Sequence, residues 1–146
     1  MSGWYTAEAP PSQGLSLARQ IGMMTYRSPE DYEAKFGRDI REITNHPYYQ
    51  VESYLDYQGQ KLNKRFDALS YERLTRSMDT HDISRDRGSF KEVAQQLTIP
   101  IHVVGILSDA LYPISEQKDL AQLLPNGQYT ALASPYGHDA FLIEFD

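Results

Sequence analysis

Two residues that can share a proton lie near the ends of two apolar segments in the last third of the chain. Asp109 follows the apolar segment 101–107, and His138 follows the apolar segment 128–133. If both segments are parallel strands, their carboxyl ends meet at one edge of the sheet. A carboxylate at that edge fixes the tautomer of the imidazole and stabilises its charged form, as general-base catalysis requires. The sequence therefore predicts Asp109 and His138 as catalytic residues.

Each member of this pair also has an ordinary structural explanation. Asp109 begins a turn-like Asp-Ala-Leu-Tyr-Pro segment, and His138 stands where a helix cap is expected. For either residue alone the structural explanation is favoured. Their chain order, together with the strand that precedes each, favours the catalytic interpretation of the two together.

The sequence offers no nucleophile for this pair. A Ser…Asp…His order places the serine earlier in the chain, on a Gly-x-Ser-x-Gly turn that follows a strand. The nearest match, Gly14–Ala18, ends in alanine and follows no predicted strand, and the chain has no cysteine. The 146 residues thus contain two of three triad members, and we expect them to be inactive alone.

Three further residues are candidates for substrate binding. Arg19 can hold a carboxylate by a bidentate fork, although a solvated charge is the commoner role of such a residue. Tyr26 lies seven positions further along the same predicted helix and so shares its face. Asp139 can bind an ammonium or hydroxyl group, or can serve the first turn of a helix.

A metal site is not predicted. His81 lies between Asp79 and Asp82, but the histidine spacing of a metal-binding helix is lacking. A metal-binding module at His81 is therefore the least favoured of the functions considered.

The elements that position these residues change in character at Pro100. Helical periodicity dominates residues 1–98, whereas residues 99–146 alternate strand, helix, strand and helix. The predicted helices cover 14–27, a short segment from Pro29 to near Gly37, 48–66, a segment capped by Asp67, 93–97, 115–124 and 139–144. The predicted strands cover 101–107 and 128–133. This order predicts an α/β fold with a parallel strand pair.

Several local signals set the expected helix boundaries. Ser28 and Asp67 are suited to cap helices, and Ser89 with Glu92 forms a capping-box pattern. Gly59 is expected to interrupt or weaken its helix. The predicted strands are apolar enough to be covered on both faces, which two strands alone cannot achieve.

Composition excludes several classes of function. The net charge of −6 argues against a nucleic-acid partner. No apolar run is long enough to span a bilayer, and no signal peptide is visible, so a cytoplasmic protein is expected.

The order of short motifs along the whole chain resembles the homoserine O-acetyltransferases, a family of the α/β-hydrolase superfamily. The matching segments are 10–15, 17–21, 25–28, 35–38, 51–55, 57–59, 65–68, 70–71, 78–79, 81–82 and 134–144. The resemblance implies the C-terminal portion of an α/β-hydrolase fold. In that portion a helical lid, residues 1–98, precedes the last two parallel strands and their helices, residues 99–146.

The resemblance also implies a reaction. The family transfers an acetyl group from acetyl-CoA to the side-chain hydroxyl of L-homoserine in methionine biosynthesis, through an acetyl-serine enzyme and without a bound cofactor. By motif, Asp109 and His138 match the triad acid and base. Arg19 matches the residue that binds the substrate carboxylate, Asp139 the one that binds its amino and hydroxyl end, and Tyr26 a pocket residue. A homodimer through the lid helices is implied for the full-length enzyme.

Two alternatives remain open. Relatives of this fold acylate other alcohols, including serine and deacetylcephalosporin C, and some use succinyl-CoA. The chain can instead be a non-catalytic interaction or dimerisation module derived from such an enzyme, which the missing serine favours.

Overall fold

The computed structural model describes residues 5, 6 and 8–144. In chain order its elements are α1 (Ser12–Tyr26), α2 (Pro29–Phe36), β1 (Ile40–Ile43), β2 (Pro47–Tyr49), α3 (Gln50–Asn63), α4 (Ala68–Asp79), α5 (Phe90–Gln95), β3 (Ile101–Ile106), α6 (Ile114–Leu123), β4 (Gly127–Leu132) and a 3-10 helix (Gly137–Leu142). Within the described residues, no helix combines the length and apolarity that crossing a membrane requires.

The predicted helix boundaries rest on caps that the structure contains. The Ser28 hydroxyl accepts the N–H three residues on at 3.0 Å, and Asp67 accepts the corresponding N–H at 2.8 Å. Ser89 and Glu92 form both halves of a capping box. Gly37 ends α2 with a φ of 48°, a left-handed conformation that glycine adopts without strain. These local predictions are confirmed.

A short antiparallel hairpin was not expected. β1 pairs with β2, from Ile40 opposite Tyr49 to Ile43 opposite Pro47. The helix predicted from residue 48 therefore begins at Gln50 instead, and Tyr48 lies in a strand. The hairpin is too short and too exposed to produce a clear alternation of apolar residues.

Gly59 does not interrupt α3, contrary to expectation. It is buried inside a continuous helix, where α1 approaches closely. A Cβ on Gly59 would lie 2.9 Å from the carbonyl oxygen of Ser16 and closer still to its hydroxyl. The glycine is thus explained by helix packing and not by a break in the helix.

The last predicted helix is shifted and differs in type. A 3-10 helix over Gly137–Leu142 replaces the helix predicted for residues 139–144. Its end is marked by an i to i−3 bond from the Ile143 N–H to the Ala140 carbonyl, at 3.0 Å. Such short segments commonly close in the tighter 3-10 geometry.

The chain divides into two compact units. The first contains residues up to Met24 together with Tyr32–His81, and the second contains Thr25–Asp31 together with the chain from Asp82 onward. The second unit thus includes the end of α1 and the start of α2. The predicted assignment of residues 1–98 to a lid and 99–146 to a core concerns the complete fold and stays a prediction.

The second unit contains a parallel strand pair joined by α6. β3 and β4 align from Ile101 opposite Gly127 to Ile106 opposite Leu132. The buried core on one side of this sheet comprises Ala94, Val103, Ala121 and Leu124, and it joins α5 and α6 to the strands. Because β3 and β4 are parallel and in register, their carboxyl ends lie at the same end of the sheet.

The opposite face of this sheet is open within the described residues. On that face Val104 is 52% exposed, and His102 and Thr130 are exposed too, whereas Ile106 at the end of β3 is buried. Within the part of the chain that the structure describes, the two strands therefore leave one face largely uncovered, as the sequence predicts for a strand pair without neighbours.

Candidate active site

Asp109 follows β3, and its carboxylate is fixed by three hydrogen bonds. Oδ1 accepts the backbone N–H groups of Leu111 at 2.8 Å and Tyr112 at 2.9 Å. Oδ2 lies 2.9 Å from Nδ1 of His138. The side chain of Asp109 is only 5% exposed. The turn and the pairing with His138 use different oxygens, so the turn does not prevent the pairing that the catalytic prediction requires.

His138 is the second residue of the 3-10 helix, and aromatic rings surround its imidazole. The ring centroids of Tyr112, Phe141 and Tyr26 lie 5.1, 5.2 and 5.8 Å away. Its side chain is 24% exposed. Rings at these distances restrict rotation of the imidazole while leaving part of it accessible.

This pairing suits general-base catalysis. When the Nδ1–H of His138 is donated to Asp109, the neutral ring carries its lone pair on Nε2. The carboxylate then holds the tautomer in place and stabilises the imidazolium that forms when Nε2 accepts a proton. The geometry supports the predicted acid–base roles, which stay predictions until activity is measured.

A cavity of about 360 Å³ opens beside the pair. Polar atoms of Asp109 and His138 line it together with apolar side chains from the open face of the sheet. The full lining comprises Val104, Ile106, Asp109, Tyr112, Gln117, Leu132, His138 and Phe141. An apolar cavity with a few convergent polar groups is the usual form of a small-molecule site.

The other candidates in the second unit lie close to His138. The ring of Tyr26 lies beside the His138 ring, while its role as a pocket residue stays a prediction. Asp139 is the next residue, and its Oδ2 lies 3.5 Å from Nε of Arg27. Nη1 of Arg27 also pairs with Asp31 at 2.5 Å. Any cation that binds Asp139 therefore shares that carboxylate with Arg27.

Arg19 lies on the part of α1 that belongs to the first unit and is partly buried. Its predicted role, and a joint role with Tyr26, stay predictions. His81 is exposed just beyond α4. Among residues 5, 6 and 8–144, no group of three or more metal-ligating side chains is placed to hold an ion.

Sequence reasoning missed two residues near the pair and undervalued a third. Ser108 contacts the loop that carries His138, and Arg27 pairs with Asp139. The sequence predicts only a capping role for Ser28, yet its hydroxyl also bonds to Pro135. The available signals were weak: Ser108 is adjacent to the triad acid, and Arg27 has an acid four residues on.

Comparisons with known proteins identify the source of these motifs. No protein-family model matches the sequence. A homoserine O-acetyltransferase from Chlorobium chlorochromatii is 49% identical over 144 residues, which cover 99% of this chain and 40% of the relative. The chain is homologous to the C-terminal part of homoserine O-acetyltransferases. It spans about 40% of the length of such relatives.

Solved structures agree in fold. The homoserine O-acetyltransferase of Staphylococcus aureus matches 92% of this chain with 38% of its own, at a TM-score of 0.70 and 30% identity. The Bacillus anthracis homoserine O-acetyltransferase matches 92% with 38% of its own, at a TM-score of 0.80 and 21% identity. The predicted fold, the C-terminal portion of an α/β-hydrolase, is confirmed.

Proposed function

We propose that this chain supplies the acid–base pair of a homoserine O-acetyltransferase, with the nucleophilic serine provided by the part of the enzyme that precedes this region in its relatives. The observation that carries the proposal is the bond between Asp109 and His138, 2.9 Å long, just beyond two parallel strands. The homology supports acyl transfer as the reaction. The setting is a cytoplasmic step of methionine biosynthesis.

The proposed reaction has two acyl transfers. His138 removes the proton from the serine hydroxyl, the serine oxygen bonds to the acetyl carbon of acetyl-CoA, and coenzyme A leaves as a thiol that takes this proton. His138 then removes the proton from the homoserine hydroxyl. The homoserine oxygen displaces the serine from the acetyl group, and the serine regains the proton. Asp109 stays ionised throughout and stabilises the imidazolium in both halves.

Substrate binding is assigned to three residues. Arg19 binds the homoserine carboxylate with its guanidinium fork. Asp139 binds the amino and hydroxyl end, and Tyr26 packs against His138 at the wall of the pocket. Because Arg27 already neutralises part of the charge on Asp139, a substrate ammonium binds there as a second cation on a shared carboxylate.

Reconstitution with the N-terminal part of a related enzyme tests this function. The mixture is expected to release coenzyme A from acetyl-CoA over many turnovers only when homoserine is present, with at most one equivalent released per enzyme in its absence. Neither part is expected to do so alone. His138→Ala should lower the rate by about 10⁴- to 10⁶-fold, as in other triads. His102→Ala is the matched control, because His102 is an exposed residue bound to Thr130 at 2.8 Å.

The same two variants and a change of substrate also show which results would contradict the proposal. Activity that survives His138→Ala but is lost with His102→Ala would overturn the assignment of the base. Faster turnover with serine or deacetylcephalosporin C than with homoserine, or with succinyl-CoA than with acetyl-CoA, would replace the substrate assignment and leave the acyl-transfer mechanism in place.

Substrate binding has its own test in the same two-part enzyme. Arg19→Ala should raise the KM for homoserine by roughly 10- to 100-fold, the loss expected for a charge-assisted pair. The rate at saturation should change little, because Arg19 carries no proton. Arg73→Ala, at an exposed position of α4, is the control. A fall in kcat with an unchanged KM would contradict the carboxylate assignment.

Exposed apolar residues on α1 favour a second role for the lid helices, in dimerisation. Leu17, Ile21 and Met24 are 56, 56 and 59% exposed and follow helical spacing along one stripe. A homodimer through this stripe is proposed for the whole enzyme, and a chain without catalytic function would keep the same stripe. Ile21→Glu should convert a dimer into a monomer in sedimentation velocity, whereas Glu30→Gln, at an exposed position of α2, should not.

A further inference from the structure

The loop that carries His138 is held by side chains outside its own strand. Strand pairing ends at Ile106 opposite Leu132, with one further bond from the Leu107 N–H to the Leu132 carbonyl. Residues 134–137 then follow β4 and end at Gly137, the first residue of the 3-10 helix. Their backbone polar groups therefore need partners that the sheet does not provide.

Ser108 supplies two of these partners with one hydroxyl. Its Oγ donates to the Ser134 carbonyl at 2.6 Å and accepts the Gly137 N–H at 2.9 Å. Ser108 directly precedes Asp109, and Gly137 directly precedes His138. The Ser108 hydroxyl thus links the backbone just before Asp109 to the backbone just before His138, and it sets the distance between them.

Ser28 holds the loop from another side. The Ser28 hydroxyl donates to the Pro135 carbonyl, and Ser28 is only 1% exposed. The backbones also touch: a Cβ on Gly137 would lie 2.7 Å from the Ser28 nitrogen. The segment at the end of α1 and the start of α2 therefore packs directly against the residue before His138.

A third contact lies on the other side of His138. Arg27 pairs with Asp139 through Nε at 3.5 Å and is itself oriented by Asp31 at 2.5 Å. The residue before His138 thus packs against the segment Thr25–Asp31, and the residue after it pairs with the same segment. Two hydroxyls and one guanidinium together fix the backbone on each side of the imidazole.

We propose that Ser108 and Ser28 are positioning residues, which keep His138 at hydrogen-bonding distance from Asp109 by clamping the loop at 134–137. Neither touches a reacting atom. Their effect on acyl transfer rests on the proposed function, whereas their effect on the loop does not. Displacement of a catalytic group by about 1 Å costs roughly 100-fold in rate, so loss of the clamp lowers kcat more than it changes substrate binding.

Hydrogen–deuterium exchange of the full 146-residue chain tests the clamp without any activity. Ser108→Ala should speed exchange in peptides that cover residues 134–142 by at least about tenfold, because the Gly137 N–H loses its acceptor. Ser108→Thr keeps a hydroxyl and should restore protection. Ser115→Ala, at an exposed serine at the start of α6, should change nothing. Unchanged exchange with Ser108→Ala would overturn the proposal.

The same variants in the two-part enzyme provide the second readout. Ser108→Ala and Ser28→Ala should lower kcat by roughly 10- to 100-fold with the KM for homoserine unchanged, and Ser108→Thr should recover most of the rate. A rise in KM with kcat intact would contradict a positioning role. If the unmodified two-part enzyme transfers no acetyl group, the proposed function fails, and the exchange measurement still decides whether the clamp exists.

Discussion

Oδ2 of Asp109 lies 2.9 Å from Nδ1 of His138, while Oδ1 of the same carboxylate accepts two backbone N–H groups. The two carboxylate oxygens of Asp109 therefore have different hydrogen-bond partners. An asparagine at this position would place its carbonyl oxygen on the backbone donors. The NH₂ group of the asparagine would then face Nδ1 of His138, and Nδ1 would have to accept a hydrogen bond from it.

Asp109→Asn is therefore expected to preserve the turn and reverse the tautomer of His138. In the two-part enzyme we expect a loss in kcat of about 10⁴, by analogy with the same change in a serine-protease triad. The measurement is coenzyme A release at saturating homoserine. Asp79→Asn, at an exposed position of α4, serves as control. Retention of more than a tenth of the rate would show that the tautomer does not matter here.

Gly137 is expected to be intolerant of any side chain. Its φ is 63°, and a Cβ would lie 2.7 Å from the nitrogen of Ser28. Gly137→Ala should lower the free energy of unfolding by about 1–3 kcal/mol or more, from backbone strain alone. Gly14→Ala is the matched control, because nothing lies within 4 Å of its Cβ position on α1. Urea unfolding followed by circular dichroism compares the two.

The control is informative in its own right. Because alanine is the better helix former, Gly14→Ala should be neutral or stabilising by up to about 1 kcal/mol. Equal destabilisation by both changes would mean that the contact between Gly137 and Ser28 does not form in solution.

The predictions that succeeded from sequence concern interactions over a few residues. The caps at Asp67 and Ser89 follow from side chains that reach a backbone N–H three residues away. The proximity of Asp109 and His138 follows from strand topology, which brings strand ends together whatever the intervening helix contains. These are the parts of the fold in which local rules decide the outcome.

The features that failed from sequence depend on partners distant along the chain. Gly59 looks like a helix breaker until Ser16 is placed against it. The hydroxyls of Ser28 and Ser108 gain their roles only when the loop before His138 folds onto them. A single serine or glycine carries no sequence pattern that reveals such a contact.

The bond between Tyr5 and Asp67 predicts a pH dependence in the first unit. The Tyr5 hydroxyl donates to Asp67 and, together with the Ser70 N–H, lowers the pKa of that carboxyl below 3.8. The same bond raises the pKa of Tyr5 above 10.0. The lowered carboxyl pKa contributes stability above pH 3.8 that is lost as the pH falls through the folded pKa. The raised Tyr5 pKa contributes stability below pH 10.0 that is lost as the pH rises through its folded pKa.

Tyr5→Phe should therefore flatten the stability profile at both ends. The measurement is the urea midpoint between pH 3 and pH 11, with Tyr57→Phe, at a tyrosine that is 58% exposed, as control. Asp67→Asn should remove the acid-side dependence and keep a helix cap, since asparagine caps as well as aspartate. A Tyr5→Phe profile parallel to that of the unmodified chain would show that this bond does not contribute to folding.

The open face of the β3–β4 sheet predicts that the 146-residue chain is poorly ordered there or associates with itself. Val104 and Phe141, which line the same cavity, are 52 and 57% exposed, and exposed apolar surface beside a free strand edge promotes association. The chain should bind a hydrophobic dye and sediment as more than one species. Val104→Thr should reduce both signals, whereas Ile43→Thr, at a 71% exposed position on β1, should change neither. Adding the N-terminal part of a related enzyme should suppress dye binding, because we expect that part to pair with the free strand edge and to cover this face. A dye-silent monomer that melts sharply without that addition would mean that the face is covered in solution by the chain itself.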